Sequence, residues 1–185
     1  MDVESAELCA RCAATPPPFT RVAAGMEWGG AVKDAVHRLK FGDSPWVAEL
    51  LMRHAFPDVS VLPACDAVVP VPLSAQRHRD RGYNQARLLA GELAGRMGIK
   101  VLHNCLRRAR HTAAVADLAP RERQAAVAGA FALVDGAQIA GLKLLLVDDV
   151  VTTSATVREA CRVLREGGAS VVSVVCVARG GTSAD

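Results

Sequence analysis

Aromatic side chains are scarce: Phe, Trp and Tyr together make up 4% of the 185 residues. Tyr83 is the only one between Arg77 and Phe131. Single-stranded nucleic acids are gripped largely by stacking bases on aromatic rings, so this scarcity argues against sequence-specific base recognition. Long apolar runs are also missing, and none approaches the ~20 residues of a membrane-spanning helix. Histidine offers little catalytic pattern. His37, His54, His78, His103 and His111 form no HxxxH pair, and no Gly-x-Ser-x-Gly nucleophile turn occurs. Of six cysteines, Cys9, Cys12, Cys65, Cys105, Cys161 and Cys176, only the first two have a spacing that suggests chemistry. Tetrahedral structural zinc needs four ligands and this pair supplies two, so zinc is not expected. The remaining cysteines read as small core residues of a reducing compartment. With an acidic start, Met1-Asp2-Val3-Glu4-Ser5, in place of a basic and apolar one, a cytoplasmic protein without membrane insertion is expected.

What is present is an ordinary globular composition, 51% hydrophobic, with 22 Lys and Arg against 19 Asp and Glu. The length suits about one domain with something to spare. The small net charge is unevenly placed. Residues 70–130 carry 11 basic and 4 acidic groups, whereas residues 1–69 carry 6 and 9. An anionic ligand would be drawn to the middle third.

Residues 1–30, with Pro16-Pro17-Pro18 and several glycines, read as an irregular lead-in. Val32, Ala35, Val36 and Leu39 repeat at helical spacing, and Val47, Leu50 and Leu51 continue after a break, giving two short helices. Asp66–Val71 is a buried strand. Residues 73–83 have no apolar period and read as an exposed, arginine-rich loop. A helix follows from the Asn84 N-cap to the Gly98 stop. Ile99–Leu102 is a second strand, residues 107–119 are basic and irregular, Pro120 opens a helix, and Gly129–Val134 returns to a strand. Lys143–Val147 is an apolar strand and Asp148–Thr156 a polar loop. A helix striped by Val157, Ala160, Cys161 and Leu164 then runs to Gly167-Gly168, and Val171–Val177 is another buried strand. Strand, helix and strand in about 35 residues make a βαβ unit of a parallel sheet, so the fold class is α/β.

Ligands of open parallel sheets bind beyond the carboxyl ends of the strands, which directs attention to residues 147–156. Asp148 and Asp149 leave a buried strand there. Thr152, Thr153, Ser154 and Thr156 then place four hydroxyls where the next helix begins. Helix-terminal amides with hydroxyl donors make a phosphate cradle, while carboxylates accept hydrogen bonds from sugar hydroxyls or help to hold a hydrated cation. The combination suits a sugar phosphate. Adjacent acids at a strand end also occur in phosphate-accepting receiver domains, but those would leave the hydroxyl cluster unexplained.

Leu146-Val147-Asp148-Asp149-Val150-Val151-Thr152-Thr153-Ser154-Ala155-Thr156 resembles the phosphoribosyl pyrophosphate (PRPP) loop of type I phosphoribosyltransferases. Val69-Pro70-Val71-Pro72-Leu73-Ser74, Arg77, and Arg81-Gly82-Tyr83-Asn84-Gln85-Ala86 resemble the ComF/GntX branch of that superfamily, whose members are linked to competence and DNA uptake. Leu39-Lys40-Phe41 and Gly129-Ala130-Phe131 agree with it, so the likeness spans about residues 21–180. It implies a parallel-sheet core over residues 61–185, a helical hood over 21–60 and a Cys-bearing lead-in over 1–20.

For the site, the resemblance implies Asp148 and Asp149 on the ribose hydroxyls and, through water, on Mg²⁺. It implies residues Val150, Val151, Thr152, Thr153, Ser154, Ala155 and Thr156 around the 5′-phosphate, and Val71, Pro72 and Leu73 near the pyrophosphate. Lys40, Arg77, Arg79 and Arg81 are the candidate cations for the leaving group. The implied reaction displaces pyrophosphate from the anomeric carbon by a nitrogen nucleophile. Three departures stand out: Ser154 where the type I loop usually has Gly, His111-Thr112-Ala113-Ala114 where Thr-Gln is common, and one Cys pair where relatives often carry a zinc finger. The alternative is a non-catalytic module that senses PRPP, or whose segment from Arg77 to Arg123 contacts single-stranded DNA or a competence helicase. A homodimer stays open.

Overall fold

The computed structural model describes residues 10–110 and 125–180. A short helix α1 (Ala10–Ala14) leads into strand β1 (Val22–Glu27), helix α2 (Gly30–Phe41) and helix α3 (Val47–Ala55). Strand β2 (Ala67–Pro70) is followed by α4 (Ala75–Arg81), α5 (Gln85–Met97) and the two-residue strand β3 (Lys100–Val101). Strands β4 (Leu106–Arg108) and β5 (Phe131–Leu133) pair antiparallel as a separate ribbon. The chain then runs through β6 (Lys143–Val151), α6 (Ala155–Glu166) and β7 (Val171–Arg179).

The main sheet has the order β1-β7-β6-β2-β3, and every pairing in it is parallel. This is the α/β architecture expected from the sequence. The order reverses between β2 and β6, and a crevice opens outside the strand ends at such a switch point.

The central strands are buried on both faces. Leu144, Leu146, Val172, Val174 and Cys176 pack on Val157, Ala160, Cys161 and Leu164 of α6 and on Phe131 and Ile139. Leu145, Val147, Val175 and Val177 pack on the other face against Val36, Leu39, Leu51 and Met52 of α2 and α3 and Leu89 and Leu93 of α5. Cys105, Cys161 and Cys176 are buried, as packing residues should be, and Cys65 is partly exposed.

Several elements differ from the sequence reading. Residues 22–27, read as irregular, form β1, which pairs with β7 from Val22↔Val174 to Glu27↔Arg179. Its interrupted pattern hid a strand that exists because β7 offers an edge. Residues 75–81, read as loop, form α4. It buries no residue and is held by its ends: Ser74 Oγ accepts the Arg77 N–H at 3.3 Å and Gly82 closes it in the left-handed region. A Gln76–Asp80 hydrogen bond of 2.7 Å adds to it. Residues 106–108, largely in the stretch read as irregular, form β4. Strand β6 continues past Val147 to Val151, because its pairing with β7 continues through Asp148↔Cys176 to Val151↔Arg179. Cys9, the segment His111–Ala114 and the start of the helix expected from Pro120 lie outside the described residues, and residues 125–127 are helical.

Candidate functional site

The end of β6 carries the two carboxylates while still in the strand. Side chains alternate there, so Asp149 leaves on the face of Val147, toward the hood, and Asp148 on the face of Leu146. Each carboxylate first binds its own backbone: Asp148 Oδ1 accepts the Asp149 N–H at 2.9 Å, and Asp149 Oδ1 accepts the Val150 N–H at 2.7 Å. Asp149 Oδ2 lies 2.9 Å from the ammonium of Lys40, which reaches it from the last turn of α2. Burial raises the Asp148 pKa to about 7, and the neighbouring Asp149 charge adds to the rise; Lys40 and Arg108 oppose it. The Asp148 residue keeps a partly open face.

Thr152, Thr153 and Ser154 turn from β6 into α6. Ser154 has φ of 61°, in the left-handed region where a residue with a Cβ is uncommon, and it precedes the first helical residue, Ala155. Glycine adopts that conformation without a steric cost, and serine here accepts the strain. Gly180 lies against the same turn, where an added Cβ would sit 2.8 Å from Thr152 Cγ2 and make that side chain shift. The turn encloses a small hollow of about 40 Å³ lined by Asp148 and residues 150–157. Several N–H groups at the start of α6 have no partner within the helix, and the helix dipole favours an anion there.

This hollow borders a larger open cleft of about 870 Å³. Lys40, Arg77 and Arg81 line it together with Val150, Thr152, Thr153, Ala155 and Thr156, so the structure gathers most of the residues singled out from the sequence. Arg81 is placed by three neighbours. Its guanidinium lies 4.8 Å from the centre of the Phe41 ring, Nη1 donates to Gln85 Oε1 at 3.0 Å, and the Asp149 charge holds its pKa up against the larger effect of burial. Arg79 is not among the cleft residues and is exposed, with Nη2 donating to Gln76 Oε1 at 2.8 Å. Val71, Pro72 and Leu73 follow β2 beside the strand end. The Val71 N–H donates to Val147 O at 2.9 Å and Asn84 Nδ2 donates to Val71 O at 3.0 Å, which fixes this loop against β6.

Cys12 is half-buried, and Arg158 Nη2 approaches its sulfur at 3.4 Å. Among the described residues, no group of three or more His, Cys, Asp or Glu is arranged to hold a metal.

Further residues join the site without having been assigned a role from the sequence. Trp28 and Asp43 come from the hood, and Tyr83 anchors the wall by donating its hydroxyl to Leu39 O at 2.7 Å. Arg108, on β4, is not among the cleft residues; its guanidinium lies 5.2 Å from the centre of the Phe131 ring, and both the Arg77 and Asp148 charges act on it. Only Asp43 had a local signal, the Gly-Asp-Ser-Pro turn that gives it a φ of 44°. The others arrive through tertiary packing.

The phosphoribosyl transferase domain family matches residues 73–185, more than half of the chain. The chain belongs to that family. The DNA utilization protein YhgH of Salmonella typhi is 36% identical over 177 residues, covering 92% of this chain and 77% of that protein. Competence protein F of Haemophilus influenzae is 30% identical over 181 residues, covering 94% and 79%. An orotate phosphoribosyltransferase from a Nocardioides strain is 46% identical over a shorter 48 residues, 26% of this chain and 27% of that one. The family and its ComF-type relatives are therefore those that the motifs resembled. No helix among the described residues is long and apolar enough to cross a membrane.

Proposed function

We propose that this protein binds PRPP and transfers its phosphoribosyl group to a nitrogen acceptor, working as a phosphoribosyltransferase in DNA use or uptake. One observation carries the reading: the left-handed Ser154 turn forms a small hollow directly beside two strand-borne carboxylates and opens into a cleft lined by Lys40, Arg77 and Arg81. Phosphate, sugar and diphosphate each meet a chemically suited surface in the order in which PRPP carries them.

In this reading Thr152, Thr153, Ser154 and Thr156 hold the 5′-phosphate, with Val150, Val151 and Ala155 shaping the turn. Asp148 and Asp149 accept hydrogen bonds from the ribose hydroxyls and fix the ring. Arg77 and Arg81 face the diphosphate and offset the charge that grows on it as the glycosidic bond breaks. Such preorganised positive charge is commonly the largest contribution to this kind of catalysis. Val71, Pro72 and Leu73, in the loop that the Val71 N–H ties to Val147 O, are assigned to the diphosphate side. The hard carboxylate oxygens of Asp148 and Asp149 fit Mg²⁺ that is held jointly by protein, water and substrate oxygens. When bound, Mg²⁺ supplies positive charge against the diphosphate and ribose oxygens.

Calorimetric titration of PRPP with Mg²⁺ tests the reading. Binding by the native protein is expected, with a loss of about tenfold or more in Asp148→Asn/Asp149→Asn, whose fold is checked by circular dichroism. Equal affinity in that variant overturns the assignment.

The names of the relatives favour a second role, contact with single-stranded DNA or a competence helicase through the basic stretch. Arg79, Arg107 and Arg110 are exposed there. DNA affinity should then fall steeply with salt, and charge reversal at Arg79 and Arg107 should flatten that slope. A shallow slope in the native protein removes this role.

A further inference from the structure

The contact between Lys40 and Asp149 sits where a ligand is expected, yet it satisfies the carboxylate without one. Asp149 is nearly enclosed, its side chain 7% exposed against 23% for that of Lys40. Its Oδ1 is committed to the Val150 N–H, and among the described residues Oδ2 has the Lys40 ammonium at 2.9 Å and takes no further hydrogen bond. Arg81, whose charge also interacts with Asp149, is held by Gln85 and Phe41. Lys40 has no such second anchor in the described contacts. It stands on the last turn of α2, ahead of Gly42, and lines the same cleft as Arg77 and Arg81.

An ammonium on a four-carbon stem is a movable point charge, whereas a stacked guanidinium is not. We propose that Lys40 is an exchangeable counter-ion: it neutralises Asp149 in the empty site, yields the carboxylate to the arriving cation and sugar hydroxyls, and swings within the cleft to the diphosphate. This rests on the PRPP reading of the site and adds to it the order in which one charge is used twice. A buried carboxylate left without a cation is costly, so the empty site needs such a partner. A divalent cation at Asp149 must displace an ammonium 2.9 Å from Oδ2.

Removing the ammonium should therefore move two affinities in opposite directions. Lys40→Met, which keeps the stem, should bind Mn²⁺ alone about tenfold more tightly and PRPP with Mg²⁺ about tenfold more weakly, and Lys40→Arg should restore part of the PRPP affinity. A merely structural lysine would weaken both. A lysine serving only the diphosphate would leave Mn²⁺ binding unchanged. Either result overturns the proposal, as does unchanged PRPP affinity.

Should Lys40→Met fail to fold, the native protein gives the answer through acetylation of Lys40 followed by mass spectrometry. Mn²⁺ should speed the reaction several-fold by freeing the amine, and in Asp149→Asn the reaction should be fast with or without Mn²⁺. Acetylation of the native protein indifferent to Mn²⁺ overturns the exchange. A native protein that binds Mn²⁺ but not PRPP overturns the function proposed above, while the metal and acetylation measurements still judge the Lys40–Asp149 exchange.

Discussion

Asp148 carries an ionisation cost in the folded protein. Burial and the adjacent Asp149 charge push the Asp148 pKa up to about 7, against the opposing charges of Lys40 and Arg108. An unfolded aspartate titrates near ~3.9, so between that value and about 7 the folded protein binds more protons than the unfolded chain. Stability tied to Asp148 is then fully present below about pH 4 and lost as pH rises through about 7. The melting temperature of the native protein should carry a downward contribution across that window, and Asp148→Asn should remove it. Parallel melting curves of native and variant protein across pH 4 to 7 would show the account to be wrong.

At this scale the sequence was informative wherever function follows local order. The run from Asp148 to Thr156 could be recognised because acids, hydroxyls and helix start follow one another along the chain. The pairing of Asp149 with one of the candidate cations could not. Lys40 lies more than a hundred residues upstream, and nothing near it says that its ammonium faces Asp149. Similarly, Arg77, Arg79 and Arg81 look equivalent in sequence, and only the helical turn of α4 separates the two that line the cleft from Arg79.

Among the elements, β1 shows how tightly α3 is joined to the sheet. Gly25 lies in the middle of this strand, and a Cβ there would be 2.3 Å from Ala55 O and 2.4 Å from Ala55 Cβ at the end of α3. The glycine is needed for close approach of strand and helix. Gly25→Ala should destabilise the protein by about 1–3 kcal/mol, the usual range for an overfilled core site, read as a lower urea midpoint with unchanged slope. An unchanged midpoint would mean that α3 can move away freely.

The elements that the sequence concealed share a physical cause. Strand β1 depends on a partner about 150 residues away, α4 buries nothing and is defined by its caps, and the end of β6 is polar because of its chemistry while its backbone stays in the ladder. Periodicity reads burial, so elements fixed by pairing or capping escape it. The helices with buried stripes, α5 and α6, were legible with their limits, including the stops at Gly98 and at Gly167-Gly168.

For the whole molecule, the fold class and the family were readable because a buried parallel strand pair and its intervening helix leave a strong apolar pattern. The cleft was not, since it is made by α2 and its flanking turns lying over the switch point between β2 and β6. Trp28, Phe41 and Asp43 acquire meaning only when α2 is set above the end of β6. The floor and the walls of the site also differ in kind. The carboxylates sit in a strand bonded on both sides, whereas the cations arrive on α2 and α4.

The edge position of β1 has one more consequence. β7 is a nine-residue strand, buried over most of its length, and β1 is what covers its outer side. A chain beginning after β1 would expose a long apolar edge, a ready template for sticking to other copies. The strand ahead of α2 thus exchanges a nine-residue, mostly buried edge for a six-residue, partly exposed one.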